Sequence, residues 1–244
     1  MNKITQIRKL SLWIFFIPLL AINLCLIISV NYNYLEETIF VVDQIGRSGF
    51  TIPYLDGSLS ISRASRTFPQ YLIFKPSMFL TSFLLFLYWK KINDLINYFN
   101  NSTIINYKFK LFGISSAIFL AIHSLLLGIE FDIKIFKLIR RVILLCFIIF
   151  EIVAQILLVI HLYKLKEKIK VFYNQKILKL KIILVVLMST VAFFSAPLLI
   201  VKGDVHFKHA LEWNYFVGVI LFYLLTNLFW KKGVKPLTSH SVKE

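Results

Sequence analysis

The run HFKHALEW sets His206, His209 and Glu212 at successive steps of three residues. On a helix, residues three apart are neighbours on one face. Histidine titrates near physiological pH, so His209 oriented by Glu212 reads as a general base. A second pair, Glu151 and Gln155, stands at i and i+4 inside an otherwise apolar run, and His123 is isolated in another. Polar groups in so greasy a context are expensive unless partnered, which makes them functional candidates by default. The stretch from 53 to 78, PYLDGSLSISRASRTFPQYLIFKPSM, is different again. It sets Arg63 and Arg66 at i and i+3 among the hydroxyls of Ser58, Ser60, Ser62, Ser65 and Thr67. Arginine forks hold phosphate oxygens two at a time, and hydroxyls add hydrogen bonds. The catalytic candidates are therefore His209, Glu212 and His123. The ligand-binding candidates are Asp56, Ser58, Arg63, Arg66, Glu151 and Gln155.

Each has a plainer reading. Glu151 with Gln155 can serve as glue between helices. His206 and His209 can be solvated loop residues. Arg63 and Arg66 can pair with Glu130, Asp132 or Glu212 to pin the loop. His123, His209, Glu212 and Asp56 are zinc-type donors, but nothing in their spacing requires the convergence a metal needs, so neither a metal nor a cofactor is assigned. No phosphate-binding glycine loop, dinucleotide fingerprint or G-x-S-x-G elbow occurs. A retinal-type Schiff base needs a lysine inside a late span, and this reading places none there. Cys25 and Cys146 both fall in apolar runs and read as packing residues.

The elements that must position these residues follow from composition. The chain has 244 residues and is 58% hydrophobic. Six apolar runs approach the roughly 20 residues needed to cross a hydrocarbon core: 11–30, 74–89, 111–129, 142–163, 182–201 and 210–230. None alternates as barrel strands do, and backbone in lipid must satisfy itself, so each is expected to be a helix. The fold expected is all-α: a polytopic membrane bundle forming one integral domain over 1–244. An outer loop fills 31–73 and contains one modest strand candidate, TIFVV. The first run is long for a signal-peptide core and lacks a small-residue cleavage site, so it reads as a retained helix.

The net charge of +16 is distributed unevenly. With the N-terminus inside, 18 of the 28 lysines and arginines fall on the inner side and ten on the outer. The positive-inside rule then puts both termini in the cytoplasm. Basic residues arranged this way, above all in KLKEKIKVFYNQKILKLK, suit anionic lipid headgroups and not nucleic acid. The outer half of the bundle holds most of the ionisable candidates.

The chain resembles the FRAG/DRAM/SFK family of six-helix membrane proteins, among which the post-GPI-attachment lipid-remodelling factors are nearest. The resemblance rests on a long first helix, an outer loop with PYLDGSLSISRASRTFPQ, and FLTSFLLFLYW. It continues with LLLGIEFD, FEIVAQILLVIHLYK, ALEWNYF and LLTNLFW. DGS stands where family members often carry a cysteine pair or an Asp-Thr-Gly-like element, and Glu151 or Gln155 stands at the family's helix-4 histidine. The resemblance implies lipid handling. The expected function is binding, and help in remodelling, of a lipid or lipid anchor at the outer leaflet. The expected partner is a membrane lipid and not nucleic acid, with protein partners left open. A metal-dependent intramembrane lipid hydrolase is one alternative. A small-solute transporter is the other, though Pro18, Pro76 and Pro197 lack the symmetry of paired repeats.

Overall fold

The computed structural model describes residues 3–35, 38, 49–100, 107–129, 134–200 and 203–231. Among them the chain is helical, with no named strand. Six long helices are apolar enough to span a membrane: α1 (Lys3–Val30), α4 (Gln70–Asn100), α5 (Lys108–Leu126), α6 (Lys134–Lys164), α7 (Gln175–Ile200) and α8 (Val205–Phe229). Two short helices, α2 (Pro53–Asp56) and α3 (Ile61–Ser65), lie between α1 and α4. The protein is thus a multi-pass integral membrane protein. The expected TIFVV strand lies mostly outside the described residues.

Most of the long helices overrun the apolar runs that announce them. α4 reaches from 70 to 100 although only 74–89 is continuously apolar, and α7 begins at Gln175 although its run begins at 182. Hydropathy marks the part of a helix that lipid touches. The backbone goes on hydrogen-bonding to itself into the polar headgroup zone, where losing those bonds still costs energy.

Neighbouring helices run antiparallel in a ring: α1 packs on α4 and α8, α4 on α5, α5 on α6, α6 on α7, and α7 on α8. α6 and α8 touch little directly; α7 packs on both, and its Met188 clusters with Ile152 of α6 and Val219 of α8. Asn227 Nδ2 donates to the Arg8 carbonyl at 2.8 Å, so the start of α1 and the end of α8 lie at one end of the bundle, the tail end. There Tyr173 bridges Trp230 in antiparallel fashion, and the Trp230 ring stacks on Phe99. The core is aromatic and dense: Trp89, Tyr88, Phe109, Trp213, Tyr223 and Trp230 are all at most 1% exposed.

The opposite, mouth end carries α2 and α3. Pro53 starts α2, where its missing N–H costs nothing. Gly57 ends it in the left-handed conformation (φ 61°), its N–H returning to the Pro53 carbonyl at 3.2 Å. A Cβ at Gly57 would sit 1.7 Å from the His206 carbonyl oxygen, so only glycine lets this turn lie on α8. Ser60 caps α3 by accepting from the Arg63 N–H at 3.1 Å.

The two halves of α6 differ. Ile152, Ala154, Leu158, Val159 and Leu162 are buried, whereas no side chain described between Ile135 and Phe150 is. The mouth half of α6 therefore stands away from the core, with Ile135, Leu138, Ile139, Val142, Leu145 and Ile149 exposed as lipid-facing residues must be.

Candidate functional site

The loop that carries the arginines is latched to α8 by side chains that both elements contribute. Trp213 Nε1 donates to the Leu59 carbonyl at 2.8 Å, and Asn214 Nδ2 to the Tyr54 carbonyl at 2.8 Å. The Tyr54 ring meets Trp213 edge-on at 4.8 Å, and its hydroxyl reaches Asn23 Oδ1 on α1 at 3.0 Å. His209 Nδ1 lies 3.0 Å from the Gly57 carbonyl. A carbonyl only accepts, so Nδ1 carries the proton and Nε2 keeps its lone pair. Gly57, and not Glu212, therefore orients His209.

This latch places α3 beside the mouth half of α6. Between them lies a cavity of about 450 Å³, within the roughly 300–1,000 Å³ common for ligand pockets. Its wall holds four guanidinium side chains, Arg63 and Arg66 from the α3 region and Arg140 and Arg141 from α6. Ser60, Ser62, His123, His209, Glu212, Leu144 and Val205 complete it. Glu212 is the one carboxylate among the described residues of the wall.

A second cavity, a narrow apolar slot of about 90 Å³, continues from the first into the bundle. Ser62, His123, Leu144 and Glu212 line both. The slot runs among Ile14, Pro18 and Ile22 of α1, Phe74 and Met78 of α4, Leu120 of α5, and Phe147 and Ile148 of α6. Tyr215, Phe216 and Tyr223 of α8 form its remaining side. It thus lies between α6 and α8.

Two polar atoms of these walls are buried with no hydrogen-bond partner: Arg66 Nε and His123 Nδ1. His123 is 6% exposed. Buried polar atoms are nearly always paired in folded proteins, and an orphan calls for an explanation such as a missing ligand. Among the described residues no carboxylate pairs with Arg63, Arg66 or Arg141, so the loop-pinning ion pair with Glu212 is not formed; Glu130 and Asp132 lie outside the described residues.

Of the sequence candidates, Arg63, Arg66, His123, His209 and Glu212 come together around the polar cavity. Asp56 and Ser58 do not. The Asp56 carboxylate accepts from the Ser58 N–H at 2.8 Å, the Ile52 N–H at 3.0 Å and Thr51 Oγ1 at 2.8 Å. These bonds, the Ser58 N–H foremost, hold its pKa down to about 2. The Ser58 hydroxyl meets Thr51 Oγ1. Both residues staple the loop and reach neither cavity.

Glu151 and Gln155 also stand apart. Glu151 is fully buried and joins three helices: it accepts from Ser116 Oγ of α5 at 2.5 Å, from the Tyr223 hydroxyl of α8 and from Gln155 Nε2 of its own α6 at 3.1 Å. Gln155 Nε2 also reaches the Val219 carbonyl at 3.3 Å. The glue reading describes them, and neither lines either of these two cavities.

Lys181 escaped sequence reasoning. It was assigned to the basic inner loop because its apolar run starts at 182. α7 starts at Gln175, and Lys181 is fully buried inside it. Its Nζ donates to Thr226 Oγ1 at 2.5 Å and lies 3.7 Å from the Phe222 ring centroid. A lysine inside a late span does therefore exist, at the tail end and away from both cavities. Arg140 and Arg141 stand just before the fourth apolar run, and only a cavity lined from both α3 and α6 makes them part of the site. Among the described residues no three His, Cys, Asp or Glu side chains gather as a metal centre would need.

No protein family, no curated protein and no solved structure matches the chain.

Proposed function

We propose that this membrane protein binds an anionic lipid, with the headgroup in the arginine-lined cavity and the first part of an acyl chain in the apolar slot. The carrying observation is the junction of the two cavities at Ser62, His123, Leu144 and Glu212. A basic, hydroxyl-rich chamber that opens directly into an apolar channel matches the two chemistries of a lipid molecule. The positive-inside distribution assigns the mouth end to the outer leaflet. Lipid or lipid-anchor remodelling, as the resemblance to the FRAG/DRAM/SFK family implies, is the role proposed for that binding. His209, with Nε2 free, is the base available if a reaction takes place there.

The test is to purify the full chain in mild detergent and identify the retained lipids by mass spectrometry. Wild type should be enriched in an anionic lipid relative to the host membrane, and Arg63→Ala/Arg66→Ala should lose that enrichment. A retained lipid profile equal to bulk membrane in both proteins would end the proposal.

A further inference from the structure

The two cavities sort the titratable side chains of the mouth as a displacement at phosphorus would need them. His209 lines the polar cavity and not the slot, whereas His123 and Glu212 line both and so stand where one opens into the other. A lipid phosphate held in the polar cavity by the Arg63 and Arg66 forks, with its chain in the slot, has at that junction the ester oxygen that links the two. His123 is 6% exposed and its Nδ1 has no hydrogen-bond partner, so a polar ligand atom at the junction would satisfy it. His209 lies on the phosphate's side of the junction. Its Nδ1–H goes to the Gly57 carbonyl, which leaves Nε2 as an acceptor. Arg63 is exposed, so water reaches the polar cavity. Displacement at phosphorus runs in line, the attacking oxygen entering opposite the leaving one. A base confined to the polar cavity and an acid at the entrance of the slot meet that requirement.

Resting on the lipid-binding reading above, we infer that the site hydrolyses the phosphate ester of its lipid on the chain side, releasing a lipid alcohol and the phosphate-bearing headgroup. His209 Nε2 takes a proton from water as the water oxygen bonds to phosphorus. The bond between phosphorus and the chain's oxygen breaks. That oxygen leaves with the electron pair and takes the proton of the Glu212 carboxyl group. Arg63 and Arg66 stabilise the charge on the phosphate oxygens through the displacement. The step ends with His209 protonated and Glu212 ionised. The two are three residues apart on α8 and neighbours on one face, so the proton passes from His209 to Glu212 and restores both. One water is consumed, and one alcohol and one phosphate product are formed.

The experiment incubates the full chain in mild detergent with dioctanoyl phosphatidylglycerol or dioctanoyl phosphatidic acid, in water enriched in the heavy oxygen isotope. Products are read by mass spectrometry, and binding is read separately as thermal stabilisation. The expected result is dioctanoylglycerol from at least one of the two lipids, with the heavy oxygen in the phosphate product and none in the alcohol. Glu212→Gln should lower the rate about 100-fold or more while leaving the stabilisation by lipid. His209→Asn should do the same, because an asparagine amide can keep the bond to the Gly57 carbonyl and offers no base. Lys168→Gln, at the tail end, should turn over as wild type does. Stabilisation by lipid without dioctanoylglycerol would overturn the hydrolysis and leave lipid binding in place. Release of octanoic acid alone, or heavy oxygen in the alcohol, would do likewise, because the bond broken would be a different one. Equal rates in wild type, Glu212→Gln and His209→Asn would also overturn it. Neither product nor stabilisation with either lipid would overturn hydrolysis and lipid binding together. Product and label are read on wild type, so the test stands even if a variant fails to fold.

Discussion

Glu151 and the Arg66–His123 group are both polar clusters inside a membrane bundle, yet they are built in opposite ways. Around Glu151 every direction is occupied by protein: Ser116, Tyr223 and Gln155 donate to it, and Tyr223 packs edge-on against Tyr88. Orphan polar atoms exist nearby too, on Tyr88, Trp89 and Gln155 itself, but neither of the two cavities described reaches those three residues. At the mouth, the orphan atoms belong to residues that face open space. A polar group in lipid is thus not a site by virtue of being there. The distinguishing property is whether anything other than protein can reach it.

That contrast can be broken by substitutions with opposite signatures. The largest effect is expected at Glu151. Glu151→Ala strands the buried Tyr223 hydroxyl, at roughly 1–3 kcal/mol, and takes one acceptor each from Ser116 and Gln155, which keep the Gly113 and Val219 carbonyls, so the unfolding midpoint in detergent should drop by the equivalent of roughly 2 kcal/mol or more. Lipid selectivity of the surviving folded protein should not change. Arg66→Gln should do the reverse, losing the lipid while moving stability by less than about 0.5 kcal/mol. If Arg66→Gln destabilises as Glu151→Ala does, the two clusters are one kind of thing and the contrast fails.

Gly57→Ala should come next. The left-handed backbone alone costs about 1–2 kcal/mol in any other residue, and the new Cβ would overlap the His206 carbonyl. The loop should leave α8, seen as protease cleavage within residues 49–60 and loss of retained lipid, with the tail-end core intact. Retained lipid in a cleaved loop would show that the latch does not build the site.

The smallest effect is expected from pH. Asp56 has its folded pKa depressed to about 2, below its ordinary 3.8. Its contribution to holding the loop is therefore complete above pH 4 and is lost as pH falls through 2. Loop protection from an acid-active protease should be level from pH 7 to 4 and decline below that. In Asp56→Asn the decline should be absent. A decline of equal size in Asp56→Asn would show that another group fastens the loop.

Six spans were legible in the sequence because lipid imposes a long, uniform apolar signal that needs no tertiary context. The helix ends were not, and Lys181 shows the cost: a basic residue just outside an apolar run was read as solvated, when its Thr226 and Phe222 partners stand 41 and more residues away in the chain. The loop arginines and His209 could be proposed from residue type and spacing. That Asp56 and Ser58 would turn to their own backbone, and that Arg140 and Arg141 would face Arg63, could not. Those facts depend on which helix lies beside which, and hydropathy carries no information on that. His209 illustrates the same limit at finer scale: its spacing to Glu212 is helical, but its hydrogen bond goes to a carbonyl that only the loop fold brings within reach.

The exposed mouth half of α6 has a consequence for what the cavity can discriminate. One jaw, α3, is bolted to α8 through Trp213, Asn214 and His209. The other, bearing Arg140 and Arg141, has none of its described side chains between Ile135 and Phe150 buried. A vice with one fixed and one compliant jaw grips objects of different widths with similar force. Such a site sorts its cargo by how much charge it bears, and the shape of the headgroup matters little.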